Sequence, residues 1–231
     1  MITRAQMIWL GVLVLGDILL AVVSVWMSPE SVPVHWNFRG EVDRYGSPWE
    51  LALVFPVVVV IVAGLLVALP AMGSVGAALE RSRTAYGRIA IAIVAMFIAI
   101  HANAVWLGPN RPLNVGPAIT LCAGLLLAVV GNWMGKIRRN SLVGIRTPWT
   151  LKSDAVWERT HRIGGRLQVV HGLAVVVAAI FLPIWASLAV LLGGLFALLL
   201  WSFVYSWSIA REARSDSGGS PRHSDRIVKP E

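Results

Sequence analysis

Cysteine and charged residues are scarce in this sequence. One cysteine, Cys122, occurs among 231 residues, so a single chain can build neither a disulfide nor a metal site of several thiolates. Charged residues make up only 14% of the chain, whereas hydrophobic residues make up 57%. Because about 25% of the residues of an average soluble domain are charged, this composition indicates a membrane protein.

Long stretches without charge determine the number of membrane crossings. A helix needs about 20 apolar residues to cross a hydrocarbon core of about 30 Å. Residues 167–209 include no Asp, Glu, Lys or Arg. One helix of that length would reach about 65 Å, so the chain must turn back near Pro183. We therefore predict an all-α, polytopic fold with six transmembrane helices, near 7–27, 51–72, 86–107, 115–134, 167–185 and 187–209.

The distribution of Lys and Arg predicts the orientation of the chain. With the N-terminus inside, 17 of the 20 Lys and Arg lie on the cytoplasmic side, where basic residues are retained. We therefore predict that the N- and C-termini are both cytoplasmic. Retention at an anionic leaflet also explains the net charge of +8, so we expect contact with membrane lipids and no direct binding of nucleic acid.

The same pattern divides the chain into three predicted parts. Residues 1–72 form an N-terminal two-helix membrane domain with an outer loop at 28–50. Residues 73–210 form a four-helix membrane domain, whose cytoplasmic loop at 135–166 carries eight Lys and Arg. Residues 211–231 are polar and lack apolar periodicity, which predicts a disordered cytoplasmic tail.

The outer loop is longer and more aromatic than a simple connector between two helices. Pro29 and Pro33 disfavour a helix, so VPVHW is predicted to be a short extended segment. The aromatic residues expected at the level of the lipid headgroups are Trp36, Tyr45 and Trp49.

Ligand-capable side chains are also close together in the outer loop. His35, Glu41 and Asp43 leave two interpretations open, a metal site or a folded cap held by hydrogen bonds. Their spacing matches no known metal motif, so we favour the cap and predict no metal. The chain also lacks a nucleophile elbow, a phosphate loop and a metalloprotease motif, so we predict no catalytic residues, no cofactor and no enzymatic activity.

A motif in the outer loop resembles a known family. VPVHWNFRGEVDRYGS resembles the Pro-x-His-Trp-Asn-x-x-Gly-x-x-Asp-x-x-Gly signature of a bacterial membrane domain of unknown function. That domain commonly precedes the C-terminal domain of the SdpI family. The residues that carry the signature, and that we expect to bind at the outer side, are Pro33, His35, Trp36, Asn37, Gly40, Asp43 and Gly46.

The cytoplasmic loop resembles the SdpI family itself. The stretch GNWMGKIRRNSLVGIRTPWTLKSDAVWERTHRIGGR is similar to three sequence blocks of that family. The residues expected to form this signature or to bind a partner are Asn132, Gly135, Lys136, Arg138, Asn140, Gly144, Arg146, Thr147, Pro148, Trp149, Thr150, Trp157, Thr160, His161 and Arg162.

The resemblance implies a function and two partners. It implies a polytopic immunity protein of the bacterial plasma membrane that protects the cell from a secreted killing peptide. It also implies a signal-transducing receptor that captures a cytoplasmic transcriptional repressor when the toxin is present. The implied partners are therefore a secreted toxin peptide and a cytoplasmic transcriptional repressor.

The residues of the cytoplasmic loop also predict local structure. Lys136, Arg138 and Arg139 follow the fourth predicted span, where they are placed to contact lipid phosphates. Pro148 excludes a regular helix interior, and Ser153 is the predicted N-cap of the next helix. The residues that then recur at helical spacing, and so share one face, are Trp157, His161, Gly164, Gln168, His171 and Val175.

Ionisable and amide side chains inside the predicted spans suggest an alternative function. They are Asp17, His101, Asn103 and His171. Polar residues at membrane depth are functional candidates, although hydrogen bonds between helices are the simpler explanation. The alternatives to the immunity role are a small ion-coupled transporter built around Asp17 and the histidines, and a lipid-binding structural membrane protein.

Overall fold

The computed structural model describes residues 2–37, 39, 41–106, 115–140 and 142–218. Within these residues the chain forms seven α-helices, one 3₁₀ turn and a two-stranded sheet. The elements are α1 Arg4–Met27, β1 Val32–Trp36, β2 Val42–Gly46, α2 Pro48–Ala68 with the 3₁₀ turn Leu69–Ala71, α3 Gly73–Glu80, α4 Arg83–Trp106, α5 Val115–Met134, α6 Asp154–Phe181 and α7 Ile184–Gly218.

Six of the described helices are long and apolar enough to cross a membrane, which confirms the predicted number. These spans are Arg4–Met27, Pro48–Ala71, Arg83–Val105, Gly116–Met134, Asp154–Phe181 and Ile184–Ala213. The predicted reversal at Pro183 is confirmed, because α6 ends at Phe181 and α7 begins at Ile184. The Ser187 hydroxyl donates to the Ala178 carbonyl at 2.9 Å across this turn.

Local sequence explains where several helices begin. Thr3 and Ser47 cap α1 and α2, and each forms a capping box with the side chain three residues later. Ser153 caps α6 as predicted, because its hydroxyl accepts a hydrogen bond from the Val156 amide. These side chains satisfy backbone amides that have no partner within their own helix.

The helices pack in two groups that share α4. Leu10, Val59 and Val94 are buried where α1, α2 and α4 meet. The interface between α5 and α6 is instead lined by glycines, since a Cβ added at Gly131 would lie only 2.6 Å from the Gly165 carbonyl oxygen. Without a hydrophobic driving force in lipid, such small residues let helix backbones approach closely and gain van der Waals contact.

The N-terminal ends of α1 and α4 lie beside the loop that follows α5. The Gln6 side-chain amide donates to the Thr84 carbonyl at 3.1 Å, and the Arg138 backbone amide donates to the Ser82 hydroxyl at 2.7 Å. We call this end of the bundle, together with loop residues 135–153, the basic face.

The sheet lies at the opposite end of the bundle, which we call the hairpin face. β1 and β2 are antiparallel, with Val32 opposite Gly46. Val32, Leu51 and Ala104 form a buried cluster that holds the hairpin on α2 and on the C-terminal end of α4. β1 confirms the extended segment predicted at VPVHW, whereas β2 was not predicted, because its sequence VDRYG lacks the apolar alternation of a half-buried strand.

Helix α7 extends further than the sequence predicted. It continues to Gly218, so residues 211–218 are helical where the prediction placed disorder. The segment Arg211–Arg214 reads Arg-Glu-Ala-Arg, all good helix formers, and it extends a helix that has already nucleated. Residues 219–231, the rest of the predicted disordered tail, lie outside the described residues.

Side-specific labelling checks the predicted orientation of the two faces. In a Cys122→Ser background, a cysteine that replaces exposed Glu30 is expected to react with a membrane-impermeant maleimide in intact cells. A cysteine that replaces exposed Lys152 is expected to react only after permeabilisation, because the basic face is predicted to be cytoplasmic. Labelling of the second variant in intact cells would contradict this orientation.

Candidate functional site

The loop of the basic face is built around Asn140. Its side-chain oxygen accepts hydrogen bonds from the amides of Leu142 and Val143 at 2.8 and 2.7 Å. Its side-chain nitrogen donates to the carbonyls of Arg138 and Val143 at 2.8 and 3.0 Å. Asn140 is buried, and all four of its hydrogen-bonding positions are used to close this turn.

Gly144 brings the loop into contact with α6. Its φ of +124° lies in a region that side-chain-bearing residues rarely adopt. The following amide, that of Ile145, donates to His161 Nε2 at 2.9 Å. A Cβ on Gly144 would overlap this imidazole nitrogen and would lie 3.0 Å from the Trp157 ring. Glycine is therefore required here both by the backbone conformation and by the available space.

Two stacked aromatic rings on α6 connect the ends of the loop. The rings of Trp157 and His161 are buried, with centroids 3.9 Å apart and planes inclined by 17°. Trp157 Nε1 donates to the Ile137 carbonyl at 2.7 Å, and His161 Nδ1 donates to the Trp157 carbonyl at 2.8 Å. Since His161 Nε2 accepts the Ile145 amide, the imidazole is the neutral tautomer protonated on Nδ1.

A second turn follows at Thr147–Thr150. Thr150 Oγ1 accepts the Thr147 amide at 2.9 Å and donates to the Ile145 carbonyl at 2.7 Å. In return, Thr147 Oγ1 accepts the Thr150 amide at 3.2 Å. Pro148 has no amide hydrogen, so this segment cannot form the regular hydrogen bonds of a helix. The two buried hydroxyls pair with its backbone groups instead.

The same turn is attached to α7. Thr147 Oγ1 lies 2.9 Å from Ser206 Oγ, and the Trp149 ring meets the Phe203 ring edge to face with centroids 4.9 Å apart. The loop therefore contacts both helices of the final pair, α6 through His161 and α7 through these two contacts.

Two of the basic side chains in the loop pair with acidic residues of α6. Arg138 Nη1 donates to Glu158 at 2.9 Å, and Arg139 Nε donates to Asp154 at 2.7 Å. All four side chains are partly exposed, so each pair contributes only about 0–1 kcal/mol. These guanidinium groups help to position the loop, and contact with lipid phosphates stays a prediction for them.

The other signature residues lie on the α5 side of the loop. A cavity of about 490 Å³ between α5 and α6 is lined by Gly131, Asn132, Gly135, Lys136, Arg162, Arg166 and Val169. Lys136 Nζ lies 4.0 Å from the centroid of the Trp133 ring. Thr160 is buried, and its hydroxyl has no hydrogen-bond partner within the described part of the chain.

A larger cavity, of about 680 Å³, opens between the loop and the last two helices. Its walls are formed by residues 144–148 of the loop, by Gly164 and Gln168 of α6, and by mainly apolar side chains of α7. Arg146 lies in this wall and is exposed. Of the predicted polar stripe, Trp157, His161, Gly164 and Val175 are buried, and Gln168 and His171 are half-buried.

At the hairpin face, the signature residues form a hydrogen-bonded turn. Asn37 Oδ1 accepts the amides of Arg39 and Glu41 at 2.9 and 3.1 Å, and Asn37 Nδ2 donates to the Glu41 carboxylate at 3.0 Å. His35 Nδ1 lies 2.6 Å from Asp43 Oδ1. The described residues contain no group of three or more His, Cys, Asp or Glu that could hold a metal ion.

The other described signature residues of the hairpin contribute to its packing. Pro33 is buried and Trp36 packs against the cluster that holds the hairpin on the helices. A Cβ at Gly46 would overlap the Glu50 carboxylate, which accepts a hydrogen bond from Arg44 at 2.8 Å. Gly40 lies outside the described residues.

Asp17 and His101 form a buried pair between α1 and α4. His101 Nδ1 lies 2.7 Å from Asp17 Oδ1, and both side chains have 0% exposure. The Phe55 ring of α2 stacks on the imidazole with centroids 4.7 Å apart. Within the described chain, neither Asp17 Oδ2 nor His101 Nε2 has a hydrogen-bond partner. Three helices therefore meet at this pair.

The other predicted intramembrane polar residues do not join the pair. His171 Nε2 donates to the Val190 carbonyl of α7 at 3.2 Å. Asn103 is half-buried, and its side-chain oxygen has no partner among the residues described. The four residues are therefore one pair and two separate groups, not a single cluster.

Several side chains that complete these sites were not predicted. They are Phe55, Ser82, Phe203 and Ser206. Each occurs in or beside an apolar helix, where Ser and Phe are common, so no spacing or motif distinguishes them.

Comparison with known proteins finds two stretches of the chain that match protein families. Residues 136–206 match the SdpI/YfhL protein family, and residues 12–60 match a domain of unknown function, DUF1648. Over 189 residues the chain is 22% identical to the protein named Immunity protein SdpI from Bacillus subtilis (strain 168), covering 82% of this chain and 88% of that protein. No solved structure matches the chain. The resemblance to the SdpI family is thus confirmed, and the chain is a multi-pass bacterial membrane protein.

Substitution of Gly144 checks how the loop is held on α6. Gly144→Ala is expected to destabilise the protein by about 2 kcal/mol or more, because it combines an unfavourable φ with an overlap at His161. Thermal unfolding of the purified protein in detergent, followed by tryptophan fluorescence, measures this change. The control is Gly193→Ala in α7, where an added Cβ meets no atom within 4 Å. Equal melting temperatures for the two variants would contradict this account.

Proposed function

We propose, on the premise that this chain is an SdpI-type membrane protein, that it protects its bacterium against a secreted antimicrobial peptide. The observation that carries the proposal is the alignment to an immunity protein over 82% of the chain, with the two signature regions at opposite ends of one bundle. The role is one of binding and signalling, without enzymatic chemistry. The hairpin face receives the peptide, and the basic face reports to a cytoplasmic partner.

The hairpin face has the chemistry of a peptide-binding surface. The side chains of His35 and Asp43 are 63% and 41% exposed, and Tyr45 and Trp49 are also mostly exposed. Paired polar groups offer directional hydrogen bonds, while exposed aromatic rings offer apolar area beside the membrane surface. The turn closed by Asn37 holds these groups in place, which lowers the entropy lost on binding.

The basic face has the chemistry of a docking surface for a soluble protein. Its loop is held in one shape by Asn140, His161 and Thr150, so it presents fixed positive groups instead of a mobile chain. A fixed array of positive charge favours a partner with an acidic patch. A transcriptional repressor captured by the loop would be removed from the chromosome as long as the peptide is bound.

Helix α4 is the element proposed to couple the two faces. Its C-terminal part contacts the hairpin through Ala104 and α1 through His101, and its N-terminal end packs Ala85 and Ile89 against Trp157. A small shift of one packed helix changes contacts along its whole length. Peptide binding at one face would therefore alter the loop at the other.

The immunity role is tested by challenging a toxin-sensitive bacterium that expresses this protein with the cognate secreted peptide. The wild type is expected to raise the peptide concentration that stops growth. His35→Ala and Asp43→Asn are each expected to reduce protection about tenfold, a loss of about 1.4 kcal/mol of binding. The double variant is expected to be no worse than either single variant, because both substitutions remove the same pair.

Glu30→Gln is the matched control, since it removes an exposed charge at the same face without touching the hairpin pair. Equal amounts of each variant in the membrane fraction must be shown by immunoblot. Failure of the wild type to protect would refute the immunity role. Full protection by both single variants would contradict a peptide contact at His35 and Asp43.

Movement of a soluble repressor to the membrane fraction after peptide addition is the matching measurement for the basic face.

A second candidate function, an ion-coupled transporter, is favoured by one observation. The fully buried Asp17–His101 pair contains a carboxylate oxygen and an imidazole nitrogen without partners in the described chain, as a proton-binding site would. In proteoliposomes with an imposed pH gradient, Asp17→Asn is then expected to abolish proton uptake reported by an internal dye. Ser202→Ala, whose hydroxyl bonds only within its own helix, is the control. Wild-type liposomes no more permeable than empty ones would exclude this function.

A further inference from the structure

The cavity of about 680 Å³ at the basic face is polar at one end and apolar along its length. Leu195, Leu199 and Phe203 of α7 line its apolar part, and its polar lining includes Arg146 of the loop and Gln168 of α6. Leu195 and Phe203 are eight positions apart, which corresponds to about 12 Å along a helix. The cavity therefore extends from the loop towards the middle of the membrane.

The apolar wall of the cavity is open to the side of the bundle. Leu199 is 66% exposed and Phe203 is 53% exposed, so they face the region that lipid chains fill around a membrane protein. A water-soluble ligand gains little from such a wall. The acyl chain of a membrane lipid can lie along this wall without leaving apolar surroundings, and it gains van der Waals contact with the side chains of α7.

Arg146 differs from the other arginines at the start of the loop. Arg138 and Arg139 are paired with carboxylates of α6, whereas no hydrogen bond or ion pair joins Arg146 to any described residue. Its guanidinium is exposed at the polar end of the cavity. A planar guanidinium without a partner binds phosphate oxygens in a bidentate manner, more specifically than an ammonium group does.

Gln168 supplies a second unused polar group. Its side chain is half-buried in the cavity wall, and its amide forms no hydrogen bond with a described residue. An amide at this depth, below a phosphate held by Arg146, is suited to the ester and glycerol oxygens of a lipid, since it can both donate and accept.

We propose that this cavity is a binding site for one anionic phospholipid of the leaflet at the basic face. The phosphate pairs with Arg146, the glycerol and ester region contacts Gln168, and one acyl chain lies along Leu195, Leu199 and Phe203. Because the loop and α7 both line the site, the lipid fills the space between them. This site goes beyond the proposed immunity function and exists whether or not the chain confers immunity.

Native mass spectrometry of the full-length protein, released from detergent and titrated with phosphatidylglycerol, tests the site. Arg146→Gln is expected to weaken binding of the first lipid about tenfold, the effect of losing one charge-assisted contact. Gln168→Leu is expected to weaken it about threefold or more. Lys152→Gln is the matched control, because it removes one exposed positive charge from the same loop outside the cavity. It is expected to change the affinity less than twofold.

Two further ligands distinguish the source of the binding. Phosphatidylcholine is expected to bind more weakly than phosphatidylglycerol and with less dependence on Arg146. Glycerol 3-phosphate, which has the headgroup chemistry without an acyl chain, is expected not to bind measurably. Equal affinity of the wild type and Arg146→Gln for phosphatidylglycerol would overturn the proposal. The proposal would also be overturned if Lys152→Gln lost as much affinity for phosphatidylglycerol as Arg146→Gln does, because that would indicate non-specific attraction to positive charge. Binding of glycerol 3-phosphate as tight as that of the lipid would overturn it as well.

Discussion

The hydrogen bond from the Ile145 amide to His161 is the interaction on which the basic face depends. It requires the positive φ and missing side chain of Gly144, and it requires His161 to be neutral. The same imidazole stacks on Trp157, whose indole nitrogen binds the beginning of the loop. One buried contact thus explains why several residue types in the signature occur together. A loop of 19 residues between two membrane helices is otherwise free to adopt many shapes, at a cost of about 1–2 kcal/mol for each residue that is ordered.

A second buried contact, between Asp17 and His101, has the corresponding role inside the membrane. It joins α1 to α4, and the Phe55 ring of α2 covers it. In a medium where polar groups have no water to bind, such a pair favours one helix arrangement over others that would leave both groups without a partner. The pair also connects residues 1–72 with the predicted four-helix domain at 73–210, to which His101 belongs. The two predicted membrane domains therefore share a core at α4.

The two faces differ in how their signature residues are used. At the basic face six of the fifteen signature residues are buried, and five of these six use their side chains in internal hydrogen bonds, whereas the Arg146 guanidinium is exposed and has no partner among the described residues. At the hairpin face His35 and Asp43 are paired with each other but exposed, so their outer surfaces are available to a ligand. Part of each motif thus specifies shape, and a smaller part is left for recognition. The motif alone does not separate these roles, because a buried threonine and an exposed arginine are equally prominent in it.

The sequence by itself determined the six helices, the turn at Pro183, the cap at Ser153 and the resemblance of the chain to the SdpI family. These features depend on local composition, since span length, loss of a backbone donor and side-chain capping are decided within a few residues. Tertiary structure alone decided that Asp17 meets His101 and that Ser206 and Phe203 of α7 hold the loop. Helical tilt and rotation set those contacts, and they follow from the packing of whole helices against one another, which no short stretch of sequence encodes.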